Sequence, residues 1–360
     1  MTLYWIVLSI VGLVTVADLI LLLALFFNFK NYPVKSSEYP SVSVLVAARN
    51  EEKNIERCVR SLIELDYPSD QLEILIGDDQ STDMTWEILR KLCEEEDHVN
   101  IYQVNRQLGI AQGKPNVLAH LAKKAKGDIY FITDADCAVH KNWIQALLGA
   151  RKENVGIVIG TTSVESSWQN MHWLLALGMV KSVTDLGMPL TAMGNNMYVT
   201  KEAYDAVGGY ESIPFSVTED YELFRQVAAR GFVLHHVVTP AALAISRPAR
   251  TLRQLLHQRK RWMKGAVQLP ISTLLLLFVQ ALYYPALLIL FFINWRYALP
   301  VFILKSLLQS LFLLIMVRKL SSTLNWLHLI FFDIYLGLIS SLSSIFYILP
   351  VKIQWKGRKY

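Results

Sequence analysis

Gly127-Asp128-Ile129-Tyr130-Phe131-Ile132-Thr133-Asp134-Ala135-Asp136 starts as a short apolar run of β-forming residues and ends in two carboxylates, Asp134 and Asp136. The run predicts a buried strand, and the acids fall just past its end. In open α/β sheets, ligands bind outside the carboxyl ends of the strands. Carboxylates placed there can hold a hard divalent cation, which in turn can hold a diphosphate. Asp-x-Asp is also common in ordinary solvated loops, so the rest of the chain has to decide between the two readings.

Upstream, residues 42–48 predict a buried strand that runs into Arg49-Asn50-Glu51-Glu52 and a helical pattern to about Leu65. Residues 73–77 predict a second strand, closing on Asp78-Asp79-Gln80-Ser81-Thr82-Asp83, with a helix from about Met84 to Glu96. A short strand at 101–104 follows. Gly113-Lys114-Pro115-Asn116 then opens a helix to Lys126, with proline near its first turn. Strand alternating with helix predicts a doubly wound, mostly parallel sheet covered by helices on both faces. The polar clusters at 49–51, 78–83 and 134–136 each follow a strand, and in such a sheet they converge on one crevice.

Downstream, residues 155–160 predict a strand, 168–186 an amphipathic helix, and 193–199 a strand entered by a glycine-led turn. Pro214-Phe215-Ser216-Val217-Thr218-Glu219-Asp220 opens a helix through about Arg230. Ser216-x-x-Glu219 matches a capping box, and an Asp in the first turn suits the helix dipole; a catalytic role is the alternative. Residues 252–265 predict a helix on which Gln258, Arg261 and Trp262 share one face. That face fits either a ligand or a membrane surface, where Trp and basic residues also gather.

The chain is 53% hydrophobic, and the excess sits at its ends. Residues 5–27 form a 23-residue apolar stretch with one ionisable group, Asp18. At about 1.5 Å per residue it crosses a bilayer core of roughly 30 Å with some tilt. No positive segment precedes it and no small-residue cleavage site follows, so an anchor is expected rather than a signal peptide. Three apolar blocks, 271–293, 298–317 and 327–349, lie near the other end. Asp18, Lys305 and Asp333 sit within these spans and are functional candidates by default. Counting depth along antiparallel neighbours leaves Lys305 and Asp333 roughly 10 Å apart, so Lys305 is expected to snorkel to a surface. Cys58, Cys93 and Cys137 have no metal spacing and predict reduced thiols in a cytosolic domain. Residues 247–264 carry seven Lys or Arg and no acid, which suits anionic headgroups or an anionic substrate. Nothing groove-sized or aromatic-interleaved accompanies them, so nucleic acid is not an expected partner.

Ala48-Arg49-Asn50-Glu51, Asp78-Asp79 with Ser81-Thr82-Asp83, Asp134-Ala135-Asp136, Thr218-Glu219-Asp220 and Gln258-Arg259-Lys260-Arg261-Trp262 occur in this order. Together they resemble the membrane-bound family-2 glycosyltransferases, relatives of cellulose, chitin and hyaluronan synthases and of ceramide glucosyltransferase. The resemblance covers about residues 40–265 and the flanking spans. It implies a GT-A fold, an α/β doubly wound mixed sheet in the cytosol flanked by transmembrane helices. It also implies inverting transfer from a nucleotide-diphosphate sugar, usually a UDP-sugar, to a lipid-linked or growing glycan acceptor.

By that resemblance Asp79 contacts uracil, with Arg49 and Glu51 lining the nucleoside pocket and Lys114 touching the nucleotide. Asp134 sits at the ribose or the metal, and Asp136 on Mg2+ or Mn2+ bridging the diphosphate. Asp220 is the general base beside Glu219, while Gln258, Arg261 and Trp262 hold the diphosphate and acceptor. Arg247-Pro248 departs from the pattern, since members commonly carry an acid before that proline.

The domains expected are an anchor at 1–30, a catalytic domain at 40–245, a basic interfacial helix at 246–268, a membrane domain of about three helices at 270–350, and a basic tail at 351–360. The expected location is the plasma (inner) membrane, multi-pass, among membrane lipids, with partner subunits for export a further expectation. A nucleotidyltransferase, which would release pyrophosphate, and a catalytically idle subunit of a glycan synthesis or export complex are the rival readings.

Overall fold

The computed structural model describes residues 1–34, 39–94, 96, 98–355 and 358–359. Part of the 30–40 linker and part of the basic tail lie outside the described residues. The chain divides into two compact units: a sheet unit of Lys30–Glu165 with Pro189–Arg247, and a helical unit of Met1–Phe29, Ser166–Met188 and Pro248–Tyr360. Helix α1 (Thr2–Phe27) opens the helical unit.

In the sheet unit, β1 (Val42–Ala48), α2 (Ile55–Ile63), β2 (Leu72–Asp78), α3 (Thr85–Cys93), β3 (Val99–Gln103), α4 (Lys114–Ala122) and β4 (Ile129–Asp134) alternate as the hydrophobic pattern requires. All seven residues of β1 are buried, as befits a strand covered on both faces. On α2, Ile55, Cys58, Val59 and Leu62 are fully buried at the i, i+3, i+4, i+7 spacing of a helix stripe facing the core. They pack in one cluster with Val44, Val46, Ile74 and Phe131 of the strands. The chain continues through β5 (Ala138–Val139), α5 (Trp143–Leu148), β6 (Val155–Ile159) and β7 (Thr161–Val164). After the excursion of α6 (Ser167–Asp185) into the helical unit come β8 (Asn196–Thr200), α7 (Lys201–Ala206), α8 (Glu219–Ala229), β9 (Val233–His236) and β10 (Leu243–Ser246).

Seven strands form one sheet in the order β3-β2-β1-β4-β8-β6-β9, and β5-β10-β7 form a smaller one. Strands β1, β2, β3 and β4 are parallel, whereas β8 runs antiparallel to both β4 and β6. The sheet is therefore mixed. Ala48 lies level with Asp78 of β2, and Ala47 with Asp134 of β4, so the polar residues after three strands emerge along one edge. All three cysteines are free. Burial pushes the thiols of Cys58 and Cys137 up, which keeps them neutral and unreactive.

In the helical unit α1 and α6 pack with α9 (Leu252–Ala266), α10 (Ile271–Ala281), α11 (Tyr283–Lys319) and α12 (Trp326–Ile348). Among the described residues three helical stretches are long and apolar enough to cross a membrane: Thr2–Phe27, Ile271–Lys319 and Trp326–Ile348. Asn294 leaves helical geometry (φ −158°, ψ 85°) and divides α11 where the first two apolar blocks of the sequence meet. Tyr283, Ala286 and Leu290 before the break and Ala298 after it all pack on Val7, Val11 and Val14 of α1.

Lys305 corrects the expectation of a snorkelling residue. Its ammonium lies 3.2 Å from Asp333 and 3.6 Å from Asp18, with all three side chains 3% exposed. Tyr284 and Ser306 hydroxyls donate to the two Asp333 oxygens at 2.6 and 2.8 Å, and the Gln309 amide donates to Asp18 at 3.2 Å. The depth count assumed that each span begins at a bilayer face. Isolated charges buried in an apolar bundle cost several kcal/mol each, so pairing, rather than helix ends, fixes the register of these helices.

Candidate active site

The first corner of the site joins the loops after β1 and β2. Arg49 hydrogen-bonds the Asp79 carbonyl and lies 3.9 Å from its carboxylate. The Asp79 N–H in turn donates to Ala48 at 2.8 Å. Asn50 binds both sides of the opposite loop: its side chain accepts from the Thr82 N–H at 2.8 Å, and its own N–H donates to Ser81 at 3.0 Å. Asn50 and Gln80 hold left-handed backbone, φ 52° and 56°. Asn accepts this conformation readily; Gln80 carries the strain. Glu51 is buried, with its N–H on the Thr85 hydroxyl and its carboxylate accepting from Asn54, both at 2.7 Å.

The second corner is organised by Lys114, the first residue of α4. Its ammonium lies 2.6 Å from Asp134 and 2.7 Å from Glu219, and it donates to the Gly194 carbonyl at 3.2 Å. Burial opposes its charge, but the two carboxylates outweigh that and hold the ammonium well above its usual range. Asp220 stands on the other side of Gly194: the Gly194 and Tyr221 N–H groups donate to its two oxygens, each at 2.8 Å. Burial and the neighbouring Glu219 charge push the Asp220 carboxyl up, against those hydrogen bonds. Asp220 and Asp134 thus lie at one site, linked through Lys114 and one backbone turn.

A Cβ on Gly194 would meet the Asp220 Cβ at 3.0 Å and the Lys114 ammonium at 3.2 Å, so only glycine passes between them without displacement. The turn is pinned from below. Thr133 donates to the Asn195 carbonyl at 2.9 Å, and Asn196 accepts from the Trp143 indole at 2.8 Å.

The capping-box alternative for Glu219 does not hold. Thr218 is the N-cap of α8, without a side-chain cap bond. Ser216 accepts from the nearby Thr218 N–H at 3.2 Å, and the Glu219 carboxylate goes to Lys114.

Asp136 is half-buried. Its carbonyl is held by Arg57 at 2.8 Å, a guanidinium that also binds Glu165 at 2.6 Å and the Ile245 carbonyl at 2.8 Å. The Cys137 thiol contacts the Asp136 carboxylate at 3.5 Å. Among the described residues no three His, Cys, Asp or Glu side chains converge into a metal cage. The donor set instead fits the open mode of Mg2+-type ions, one or two carboxylates with the substrate's phosphates and water completing the shell.

Gln258, Arg261 and Trp262 lie on α9, in the helical unit, and are partly buried there. Thr251 caps the helix by accepting from the Gln254 N–H at 3.2 Å. Trp262 packs edge-on against Trp173 of α6, 5.0 Å between ring centroids.

Two residues that shape the site carry no functional signal in the sequence. Gly194 reads only as the glycine of a turn, because it acts through backbone groups that carry no side-chain pattern. Arg57 resembles any exposed arginine of an amphipathic helix until the fold brings β10 and Glu165 to it.

The description "Glycosyl transferase family 2" matches residues 43–210, and "Glycosyl transferase family group 2" matches residues 131–351. A beta-monoglucosyldiacylglycerol synthase of Nostoc sp. is 29% identical over 273 residues, 73% of this chain and 57% of that protein. A poly-beta-1,6-N-acetyl-D-glucosamine synthase of Staphylococcus aureus is 27% identical over 246 residues, 66% of this chain and 57% of that protein. The chain thus spans just over half the length of these relatives. A solved mannosyltransferase of Pyrobaculum calidifontis, in complex with GDP-Man and Mn2+, superposes with a TM-score of 0.62 at 19% identity, covering 89% of this chain and 99% of that one. That likeness extends over the fold. The mixed sheet is a GT-A sheet, and the chain belongs to glycosyltransferase family 2.

Proposed function

We propose that the protein transfers a sugar, with inversion, from a nucleotide-diphosphate sugar (a UDP-sugar) to a lipid-linked or glycan acceptor at the cytosolic membrane face. The observation that carries this reading is the one cluster that joins Asp134 at the end of β4 with Lys114, Glu219 and Asp220 at the starts of α4 and α8. The two corners divide the work. Arg49, Glu51 and Asp79 receive the nucleoside, while Asp134 and Asp136 face the diphosphate. A divalent cation held by Asp136 with Asp134 would neutralise charge on the leaving diphosphate.

Inversion in one displacement needs no covalent nucleophile. It needs a base within about 3 Å of the acceptor hydroxyl on the face opposite the leaving group. Asp220 has the features for this: it is held rigid by two backbone N–H groups, and burial raises its proton affinity. Gln258, Arg261 and Trp262 take the diphosphate and acceptor, where a tryptophan face packs against a sugar ring. The membrane-length helices and the glycolipid and polysaccharide synthases among the relatives support an acceptor at the membrane.

Calorimetric titration tests the cation arm. Asp136→Ala is expected to weaken Mn2+-dependent UDP binding at least tenfold while leaving metal-free binding unchanged. Equal Mn2+-dependent affinities for the variant and the native protein would remove Asp136 from the cation's shell.

A further inference from the structure

Arg259 is a buried cation without a counter-charge among the described residues. It is 8% exposed and sits in the helical unit between three helices. One guanidinium N–H donates to Nδ1 of His172 on α6 at 3.1 Å; because a guanidinium only donates, that nitrogen is the unprotonated one. The guanidinium lies 4.6 Å over the Trp262 ring. The third wall is α12, whose Tyr335 is near enough to act on the Arg259 charge and lies tilted against Trp168 of α6, 5.1 Å between ring centroids. The Arg259 Nε is fully enclosed and has no hydrogen-bond partner. Among the described residues no carboxylate pairs with it. Burial pulls its pKa down to about 10, and burial beside Arg259 also holds His172 neutral.

The adjacent Lys260 shows how the same segment satisfies a cation that needs no ligand. Its ammonium donates to the Phe346 and Leu349 carbonyls at the end of α12, at 3.3 and 2.6 Å, where the helix dipole is negative. Arg259 has no such arrangement. An uncompensated buried charge is strongly disfavoured, and the surrounding segment adds positive potential with seven Lys or Arg and no acid over 247–264.

We propose that Arg259, with His172, Trp262 and Tyr335, forms a binding site for the phosphate of an anionic lipid headgroup. A planar guanidinium with unused N–H groups matches phosphate oxygens bidentately. Lipid is the source because all three walls belong to the helical unit and α12 is of membrane-crossing length. Basic pockets between such helices are where anionic headgroups bind. The site shares Trp262 with the acceptor role assigned above, but it rests on the Arg259 guanidinium, which has no part in that role.

The test is thermal unfolding of the full chain in nanodiscs of phosphatidylcholine with and without phosphatidylglycerol. The native protein is expected to melt about 3–5 °C higher with phosphatidylglycerol. Arg259→Met should lose that gain yet melt no lower than native in pure phosphatidylcholine, because it removes an unpaired buried charge. Arg259→Lys, which keeps the charge but not the fork, should retain only part of the gain. Arg253→Gln, at an exposed position of the same helix, should retain all of it. An equal loss in Arg253→Gln would mean general surface attraction and overturn the site. So would a native protein indifferent to phosphatidylglycerol, or an Arg259→Met variant that keeps the full gain. An Arg259-dependent rise produced in pure phosphatidylcholine by UDP or inorganic phosphate, and not by phosphatidylglycerol, would overturn the lipid as the source.

Discussion

Asp220→Asn is expected to lower sugar transfer by about 10²–10⁴-fold, the usual contribution of a general base, while nucleotide affinity stays within about twofold of native. The amide is nearly isosteric and can accept from the Gly194 and Tyr221 N–H groups that hold the carboxylate, so the crevice keeps its shape and loses only its base. The pH profile supplies a second readout. Burial and the Glu219 charge raise the Asp220 carboxyl above the usual carboxylate range, and a base works only when ionised. The acid limb of the native kcat profile should therefore lie above the pKa of about 3.9 for an exposed aspartate. Near-native turnover by Asp220→Asn would show that the proton leaves by another route.

Lys114→Met is expected to damage both stability and activity. The Lys114 side chain is 25% exposed, and its ammonium lies within 2.7 Å of both Asp134 and Glu219. Without it, two carboxylates face each other beside Asp220 with no intervening cation. Removing one partner of such a buried group costs about 3 kcal/mol or more, enough to lower the melting temperature of a unit this size by about 6–12 °C. The cause has a pH signature. The destabilised acids repel only when ionised, so the deficit relative to native should be largest at neutral pH and shrink as pH falls into the carboxylate range. A deficit independent of pH would point to lost packing. The variant should also fail in transfer, because Lys114 anchors the Gly194 turn that presents Asp220.

The sheet and its active edge were legible because parallel strands covered on both faces are written as continuous apolar runs. Val42–Ala48, Leu72–Asp78 and Ile129–Asp134 each end where polar residues begin, and register does the rest. The Asp220 side of the crevice was legible only as a motif. What holds it is the backbone of Gly194 and a lysine some eighty residues earlier in the chain, and neither leaves a periodic trace. The pattern of 168–186 announced a helix but not which unit it would join; α6 packs among the helices of the apolar ends. Depth along a span does not reveal the place of Lys305, because a buried lysine between two aspartates dictates how its helices align. Arg259 was hidden for a related reason: in a basic run every cation reads as solvated until the fold buries one of them without an acid.

Incubating membranes that carry the native chain or Asp220→Asn with a panel of radiolabelled nucleotide sugars tests the central claim most directly. The crevice described here predicts that at least one UDP-sugar delivers its label to the lipid or polymer fraction with the native chain, and that Asp220→Asn delivers almost none. No label from any sugar, or equal label from both proteins, would contradict it.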